Sequence, residues 1–366
     1  MHKFRSKRFA IGTALGALVV VLGIGQAMLD NTATAQQRTV QAPTFEVDPL
    51  WPKPLPNHWL LGMTIGVWVD EQDNVWIIHR GGPTLHAKEA GQESGLSPEC
   101  CRSAPPILVF DPQGNLVRSW GGPGQGYDWQ KNEHGIFVDH NNFVWVGGND
   151  PEDGQILKFT RDGKFVMQIG KKGARRKAGA AAGNQEGQVA GFVGGSNDQV
   201  SFGRVAKIFV DAKANEAYVA DGYLNKRVAV LDADTGKMKR WWGAYGNKPD
   251  DTDLGKYDPK APVAQQFRNP VHCVERSNDG LVYVCDRQND RLQVFTPDGK
   301  FVKEAFFETN TKNAGSVWDI AFSKDPQQQY IFMADGVNEI VKVVDRQSLK
   351  ELTRFGDGGR YPGQFY

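Results

Sequence analysis

A chain of 366 residues is long enough for two average domains, but an all-β ring also fills this length as a single unit. Hydrophobic residues at 40% and aromatic residues at 11% are ordinary for a folded globular protein. A net charge of +1 gives no basic field for nucleic acid, which argues against that partner. The 10 Trp and 42 Gly favour β-structure with many turns.

The first 35 residues, 1–35, have the composition of a secretory signal peptide. Four Lys and Arg residues among the first eight precede a mostly apolar run over 11–29, and an Ala-Thr-Ala cleavage sequence ends at Ala35. An uncleaved membrane anchor is the alternative. In either case the folded part, 36–366, is expected to be exported, periplasmic or secreted, where disulfides can form. After cleavage we expect no stable membrane insertion.

Four short strands form a unit that repeats along the rest of the chain. The first strand of each unit is rich in β-branched and aromatic residues, and in the first three units it ends at an Asp: Asp70, Asp139 and Asp211. A second strand follows each time, over 74–80, 143–148, 216–221, 281–286 and 329–335. Asp-Gly pairs at 162–163 and 298–299 separate the third and fourth strands. Such units are typical of a β-propeller, and we predict five complete blades.

Polar residues at the end of the second strand are predicted to hold the turn that follows. In the last three units an Asp precedes an Asn by three or four residues: Asp221 and Asn225, Asp286 and Asn289, Asp335 and Asn338. Asp and Asn side chains can bond local groups in such turns, so these pairs are expected to have a structural role.

A sixth blade is expected but incomplete. The Gly-rich segment 355–366 is typical of a crossing to a new inner strand, and a short strand at 44–47 would suit the outer position of the absent blade. We therefore predict an all-β fold, a six-bladed propeller with the sixth blade missing or incomplete, whose open ring exposes strand edges. The alternative is a five-bladed ring whose gap is covered by N-terminal segments.

Three long loops, 81–105, 171–201 and 247–266, are expected to shape the mouth of the central cavity. The first carries the adjacent Cys100 and Cys101, which either pair with each other or stay reduced. The other two cysteines, Cys273 and Cys285, fall on consecutive strands of one hairpin and could face each other. Sequence alone leaves the connectivity open.

Two histidines occupy the same position in alternate blades. His134 lies two residues before Ile136, and His272 lies two residues before Val274. Because inner strands of a propeller start near the central axis, the two imidazoles are expected to converge. Three such imidazoles would suit zinc with an open fourth position. The alternative for a pair is a polar lining of a wet channel.

Three further residues could face the same mouth. Arg80 ends the second strand of the first blade, and Tyr223 and Arg287 follow the Asp that ends the second strand in blades three and four. A Tyr beside cations has its pKa lowered because the phenolate is stabilised, and it can then act as a general base. In the alternative, Tyr223 faces solvent and the arginines pair with nearby Asp.

At these residues the chain resembles the peptidyl-α-hydroxyglycine α-amidating lyase, a six-bladed propeller of the NHL-repeat class. The resemblance spans about 61–355 and is sharpest at 78–81 (IHRG), 133–136 (EHGI), 221–223 (DGY), 271–274 (VHCV) and 286–287 (DR). It implies a catalytic role for Arg80, Tyr223 and Arg287. It also implies that His134 and His272 are two of three zinc ligands.

The resemblance implies a structural calcium as well, held by the backbone carbonyls of Val67 and Ile136. The sequence departs from the family in two places. The third zinc histidine would lie on the missing blade, and Leu224 stands where the family has a Cys, so that family disulfide cannot form.

The implied reaction cleaves the C–N bond of a peptidyl-α-hydroxyglycine or a similar hemiaminal, giving an amide and glyoxylate. The substrate would then be a small molecule or a peptide. Two other functions fit a propeller. One is a non-catalytic, exported NHL propeller that binds a ligand or protein. The other is a hydrolase of the lactonase type, but such sites favour carboxylate and Asn ligands for calcium, and the paired histidines argue against it.

Overall fold

The computed structural model describes residues 41–173 and 195–365. The predicted signal peptide, 1–35, and most of the loop 171–201 lie outside these residues. The described residues from 45 onward belong to one compact unit. Among the described residues, no helix has both the length and the apolar character to cross a membrane.

Five antiparallel sheets, each of four strands bonded in chain order, follow one another and are numbered as blades one to five. Blade one has the strands Thr64–Val69, Val75–His79, Ile107–Phe110 and Leu116–Trp120. Blade two has Glu133–Val138, Phe143–Gly148, Gln155–Thr160 and Phe165–Gly170. Blade three has Val205–Asp211, Glu216–Asp221, Arg227–Asp232 and Met238–Trp242. Blade four has Val271–Arg276, Val282–Asp286, Arg291–Phe295 and Phe301–Phe306. Blade five has Asp319–Phe322, Tyr330–Asp335, Ile340–Asp345 and Glu351–Phe355.

The remaining elements are short. Two parallel strand pairs join Trp59–Leu60 to Arg102–Ser103 and Asp357–Gly358 to Gln364–Phe365. An α-helix of one turn spans Gly91–Ser94, and 3-10 turns span Gly82–Thr84, Ala244–Gly246 and Arg287–Asn289. The fold is therefore all-β, and the prediction of five complete blades is confirmed.

The first strand of each blade, called the inner strand, packs beside the inner strand of the next blade. Glycines allow this close approach in the first three blades. A Cβ atom on Gly66 would lie 2.6 Å from the carbonyl oxygen of His134, and one on Gly135 would lie 2.6 Å from that of Ala206. Any larger residue would push the inner strands apart, so these glycines set the distance between neighbouring blades.

Buried tryptophans tie the second strand of a blade to the end of its inner strand. The indole N–H of Trp76 donates to Asp70 over 2.9 Å, and that of Trp145 donates to Asp139 over 2.8 Å. Both rings are fully buried. Each removes on the order of 200 Å² from water, or about 5 kcal/mol as an upper figure. The Asp that ends the inner strand thus satisfies the one polar atom of this large side chain.

The Asp and Asn pairs after the second strands hold their turns as the sequence predicts. The side-chain amide of Asn225 donates to Asp221 over 2.7 Å, and that of Asn289 donates to Asp286 over the same distance. In blades three and four a buried arginine from the next strand, Arg227 or Arg291, also binds the carboxylate. These hydrogen bonds and ion pairs therefore fix the turn that carries the residue after each Asp.

The two end blades differ from the middle ones in exposure. Val67 in the inner strand of blade one is 57% exposed, whereas Ile136 in blade two is 4% exposed. The predicted strand at 44–47 is wrong, because these residues form no strand. Instead, the ring of Phe45 lies on blade five, with its centroid 5.6 Å from that of Phe332 and 4.6 Å from that of Phe355. This segment covers the blade with a side chain rather than with backbone hydrogen bonds.

Two disulfides are present. One joins Cys100 to Cys101 within the loop 81–105, and the other joins Cys273 to Cys285. Cys273 and Cys285 are directly opposite each other on the first two strands of blade four. The second bond therefore lies one residue from His272 and two residues from Arg287.

Candidate functional site

The side chains of His134, Tyr223 and His272 meet where the inner strands begin. The phenolic oxygen Oη of Tyr223 lies 2.8 Å from Nε2 of His134 and 3.0 Å from Nε2 of His272. The centroids of the two imidazole rings are 5.0 Å apart. Tyr223 is 3% exposed and His134 is 4% exposed. Three of the residues singled out in the sequence thus form one cluster, in which His134 and Tyr223 are buried and His272 is partly buried, and Tyr223 does not face solvent.

A close backbone contact places Tyr223 beside His272. A Cβ atom on Gly222 would lie 2.0 Å from the carbonyl oxygen of Val271, so only glycine fits there. The Tyr223 N–H donates to the carbonyl oxygen of Arg204 over 3.2 Å. The end of the second strand of blade three is thereby held against the start of the inner strand of blade four. Tyr223 comes directly after Gly222, so this contact places its side chain beside His272.

The protonation of both imidazoles is set by backbone carbonyls. Nδ1 of His134 lies 2.8 Å from the carbonyl oxygen of Ala206, and Nδ1 of His272 lies 2.6 Å from that of Trp318. Since a carbonyl only accepts, each Nδ1 carries the hydrogen and each Nε2 presents a lone pair to Tyr223.

Burial keeps both rings neutral. It lowers the pKa of His134 to about 3, against the opposing bond to the carbonyl of Ala206, and the guanidinium of Arg80 lowers it further. Burial, together with the guanidinium of Arg287, holds the pKa of His272 well below its usual value. A neutral imidazole with a lone pair on Nε2 is the form of histidine that binds metals.

Two buried arginines flank Tyr223. Nη1 of Arg287 donates to the Tyr223 oxygen over 3.3 Å, and its guanidinium lies 4.7 Å from the ring centroid of Trp318. The guanidinium of Arg204 lies 5.2 Å from the ring centroid of Tyr223. The positive charge of these groups favours a negative oxygen at Tyr223 or on a ligand beside it.

Arg80 joins the site through Asn149. Its Nη2 donates to Oδ1 of Asn149 over 3.0 Å, and its Nε donates to the carbonyl oxygen of Glu133 over 3.0 Å. The backbone carbonyl of the same Asn149 accepts from Nε of Arg204. Asn149 therefore holds two guanidinium groups in fixed positions.

Sequence reasoning missed Arg204, Asn149 and Trp318. The sequence feature that could have indicated Arg204 is the position of a basic residue directly before the inner strand Val205–Asp211. Its backbone has a φ of 65°, in the left-handed region that side chains larger than glycine rarely adopt. Such strain persists only where surrounding contacts impose it, and it often accompanies function.

The cluster contains His134 and His272, the two residues predicted to bind zinc, and zinc binding stays a prediction. His134 and His272 point Nε2 at one position, and both have the carbonyl-bonded Nδ1 that is usual for metal-bound histidine. Within 41–173 and 195–365, no three His, Cys, Asp or Glu side chains gather as a metal-binding group. The nearest further donor to the pair is the oxygen of Tyr223. The two imidazole nitrogens are therefore donors of a type that fits zinc, and they do not by themselves identify a third ligand.

Val67 and Ile136 lie on neighbouring inner strands. Strand pairing in blade two is interrupted between Glu133 and Ile136, so the backbone there departs from a regular ladder. Calcium binding by their carbonyl oxygens stays a prediction.

Two cavities lie away from the cluster. One, of about 180 Å³, is at the far ends of the inner strands and is lined by Asp70 and Asp139 among others. The other, of about 270 Å³, is beside the loop 247–266 and is lined by residues that include Tyr257, Arg268 and Asn289. Arg161 and the indole of Trp76 bind Asp70, so the carboxylate of Asp70 in the first cavity is already paired.

Asp290 follows the turn Arg287–Asn289 and is wholly buried. Its Oδ1 accepts from the N–H of Ser316 over 2.8 Å, and its Oδ2 has no hydrogen-bond partner among the described residues. Burial raises the pKa of Asp290 to about 7, and the charge of Asp335 acts in the same direction. The folded protein therefore prefers this carboxyl protonated.

We expect Asp290→Asn to remove one component of the pH dependence of stability. The folded pKa of about 7 exceeds the unfolded value of about 3.9, so the stability from protonation is complete below pH ~4 and is lost as pH rises through 7. Relative to the variant, the native chain should lose about 2–3 kcal/mol in free energy of unfolding between pH 5 and 8. Denaturant unfolding at both pH values measures this, with the exposed Asp298→Asn as control. Parallel pH profiles of native chain and Asp290→Asn would contradict the assignment.

The chain is similar in sequence to proteins with NHL repeats. It is 25% identical over 322 residues to the "NHL repeat-containing protein 3" of Mus musculus, covering 86% of this chain and 71% of that protein. Its sequence is homologous to NHL-repeat proteins. No family model matches the chain.

Amidating monooxygenases are matched over a smaller part of their length. The chain is 27% identical over 259 residues to the "Peptidylglycine alpha-amidating monooxygenase" of Rattus norvegicus, covering 68% of this chain but 22% of that protein. Among solved structures, a streptogramin B lyase aligns with a TM-score of 0.45 and 13% identity, over 82% of this chain and 70% of that one. The fold described above rests on the blades themselves rather than on this alignment.

Proposed function

We propose that the protein is a zinc-dependent carbon–nitrogen lyase that cleaves a peptidyl-α-hydroxyglycine or a similar hemiaminal into an amide and glyoxylate. The observation that carries the proposal is the phenolic oxygen of Tyr223, held between two lone-pair-bearing imidazoles and the guanidinium of Arg287. The partial match to amidating monooxygenases supports it. Because the chain spans about a fifth of those proteins, their whole activity is not carried over.

Tyr223 would act as the general base. In its phenolate form, reached once the phenolic proton has passed to water, its oxygen accepts the proton of the hemiaminal hydroxyl, the carbon–oxygen double bond of glyoxylate forms, and the C–N bond breaks with its electron pair going to nitrogen. The amide nitrogen then takes up a proton, which Tyr223 can return, so the reaction consumes no net proton. A positioned acid–base group contributes typically 10²–10⁴-fold to rate.

The arginines would bind the substrate carboxylate. Arg287 lies beside the phenolic oxygen, and Arg80 is fixed through Asn149. The forked guanidinium matches a carboxylate in two parallel bonds, and it stabilises charge that develops during cleavage. The substrate would therefore be a small molecule or a peptide that ends in a carboxylate next to the hemiaminal carbon.

His134 and His272 would hold zinc through their Nε2 atoms. When bound, zinc lowers the pKa of a hydroxyl and polarises it. A third ligand could come from a sixth blade beside blade one, and the exposed Val67 in that inner strand supports a missing neighbour. Calcium at the carbonyls of Val67 and Ile136 is part of the same proposal, as is export of the protein to the periplasm or medium.

Metal content and glyoxylate release test this function together. We expect close to one zinc per chain by mass spectrometry after exposure to zinc, and release of glyoxylate from a peptidyl-α-hydroxyglycine. His134→Ala should lose the metal, because half of the imidazole pair is gone. His140→Ala is the matched control, since His140 lies at the far ends of the inner strands. A chain that binds no zinc and releases no glyoxylate would defeat the proposal.

The second candidate is a non-catalytic, exported propeller that binds a ligand or protein. It is favoured by the mouse NHL-repeat protein, which matches far more of its own length than the amidating monooxygenases do. Under this function the cluster around Tyr223 would line a binding site. Zinc binding without any glyoxylate release would favour this candidate.

A further inference from the structure

The cavity of about 270 Å³ lies between the loop 247–266 and blade four. Contacts at both ends of the lining loop segment fix its shape. The hydroxyl of Tyr257 donates to the carbonyl oxygen of Thr309 over 3.0 Å, and Nη1 of Arg291 donates to the carbonyl oxygen of Ala264 over 2.9 Å. The cavity is therefore largely formed before any ligand enters, as is usual for small-molecule sites.

The guanidinium of Arg268 lines this cavity and has unused hydrogen-bonding capacity. Its Nε donates to Oδ1 of Asn289 over 3.1 Å, and its Nη1 donates to the carbonyl oxygen of Gly255. Its Nη2 makes no hydrogen bond to any residue within 41–173 or 195–365. The N–H groups of this charged nitrogen are therefore available to a ligand in the cavity.

Arg268 also differs from other arginines of the blades in its lack of a carboxylate partner. Ion pairs to a carboxylate are formed by Arg227 with Asp221, Arg240 with Glu216, Arg291 with Asp286 and Arg346 with Asp279. Among the described residues, no Asp or Glu side chain lies within ion-pairing distance of Arg268, which is partly buried. Burial lowers the pKa of Arg268, and the opposing charge of Asp286 is already bound by Arg291. Because an unpaired charge is costly to bury, an anion in the cavity would be stabilised.

Asp258 lines the same cavity, and its negative charge opposes an anion there. However, its side chain is exposed, and its Oδ1 accepts from the N–H of Lys260 over 2.9 Å. Water and salt screen the charge of an exposed carboxylate. Its repulsion is therefore weaker than the attraction of the partly buried guanidinium of Arg268.

Much of the remaining cavity wall is apolar. Val263 is 48% exposed and Phe306 is 39% exposed, and Pro259 and Pro262 lie beside them in the lining. Apolar walls with a few polar groups are typical of small-molecule sites. A cavity of ~150 Å³ holds benzene, so this cavity suits a molecule of about ten non-hydrogen atoms.

We propose that this cavity binds a small monocarboxylate with an apolar body. The carboxylate binds Nη2 of Arg268, and the apolar body packs on Val263 and Phe306. A hydrogen bond between two ionised groups of this kind is among the stronger ones in proteins. The hydroxyl of Tyr257 takes no part, because it already donates to a backbone carbonyl. The site is separate from the histidine cluster around Tyr223, so it does not depend on the proposed lyase activity.

Phenylacetate tests the site, because it joins a carboxylate to an apolar body of the required size. Titration of the full chain, followed by the NMR signals of the ligand, should give a Kd in the millimolar range, as is usual for so small a ligand. Phenylacetamide has nearly the same shape but no charge, and it should bind at least about 10-fold more weakly. Arg268→Gln should weaken the binding of phenylacetate by a similar factor.

Arg80→Gln is the matched control, because Arg80 is held beside the histidine cluster and does not line this cavity. This variant should bind phenylacetate as the native chain does. Val263→Asp decides the matter if Arg268→Gln fails to fold, since Val263 is exposed and its replacement leaves the core intact. A carboxylate in the apolar wall should repel phenylacetate and weaken its binding.

A native chain that does not bind phenylacetate, or binds phenylacetamide equally well, would overturn the proposal. So would equal binding of phenylacetate by the native chain, Arg268→Gln and Val263→Asp. Loss of binding in Arg80→Gln alone would place the carboxylate at the histidine cluster and also overturn it. N-acetylphenylalanine presents the same groups as the last residue of a peptide. Tighter binding of this probe than of phenylacetate would support a peptide end as the ligand, and weaker binding would support a free acid.

Discussion

Tyr223→Phe is expected to lower the rate of glyoxylate release at least a hundredfold while the fold stays intact. The substitution removes one oxygen atom and keeps the ring, which packs beside both histidines. Among the described residues, Tyr223 is the side chain that is hydrogen-bonded to both Nε2 atoms, so removing its oxygen removes the proposed proton acceptor for the hemiaminal hydroxyl. Losses of 10²–10⁴-fold are typical for a general base. Steady-state kinetics with a peptidyl-α-hydroxyglycine, and circular dichroism for the fold, measure the two parts.

Tyr257→Phe is the matched control for this variant. Its hydroxyl donates to the carbonyl oxygen of Thr309 over 3.0 Å and borders the cavity beside the loop 247–266, not the histidine cluster. We expect this variant to keep the native rate. If Tyr223→Phe kept full activity, Tyr223 would be excluded as the general base, even if zinc is bound. The acceptor of the hydroxyl proton would then have to be sought outside the described residues.

Arg291→Met is expected to lower the free energy of unfolding by about 3–5 kcal/mol. Arg291 and Asp286 are wholly buried, with Nη2 and Oδ2 2.6 Å apart. Burial raises the pKa of Asp286, and the guanidinium opposes this by stabilising the carboxylate. Methionine fills the volume of the side chain but leaves a buried carboxylate with one fewer partner. Denaturant unfolding at pH 7 gives the change directly.

The ion pair between Arg118 and Asp162 provides the comparison, because both side chains are partly or largely exposed. Arg118→Met should cost less than about 1 kcal/mol, as is usual for surface pairs. Adding Asp286→Asn to Arg291→Met should recover part of the loss, because the second substitution removes the unpaired charge. Equal effects of Arg118→Met and Arg291→Met would show that burial does not govern these pairs.

The blades and their turns could be predicted because their determinants are local in sequence. Alternation of apolar residues marks the strands, and the Asp that ends an inner strand meets an indole only six residues further on, as Asp70 meets Trp76. The pair Asp286 and Asn289 is closer still. Convergence of His134 with His272 followed from the repeat, since equal positions in two blades lie at equal depth along one axis.

Other features depend on contacts that no repeat specifies. Arg204 lies beside Tyr223 and has a left-handed backbone conformation. Asn149 binds Arg80 and Arg204, which are 124 residues apart in the sequence. The segment 44–47 alternates like a strand, yet it has no partner edge in the structure. Phe45 therefore packs by its ring alone. The sequence pattern of a segment predicts which secondary structure it prefers. The neighbouring strands that are available for hydrogen bonding decide whether that structure forms.

The disulfide between Cys273 and Cys285 makes the properties of a protein sample depend on the redox conditions under which it was prepared. The bond crosslinks the strand that carries His272 to the strand that leads into Arg287. The segments that carry the proposed metal donor, His272, and the proposed anion-binding group, Arg287, are therefore linked covalently across the two strands of one hairpin. Preparations made with and without thiol reductants should be compared before any loss of metal or turnover is assigned to a side chain. Formation of this disulfide would then be a requirement for the proposed activity, as the metal is.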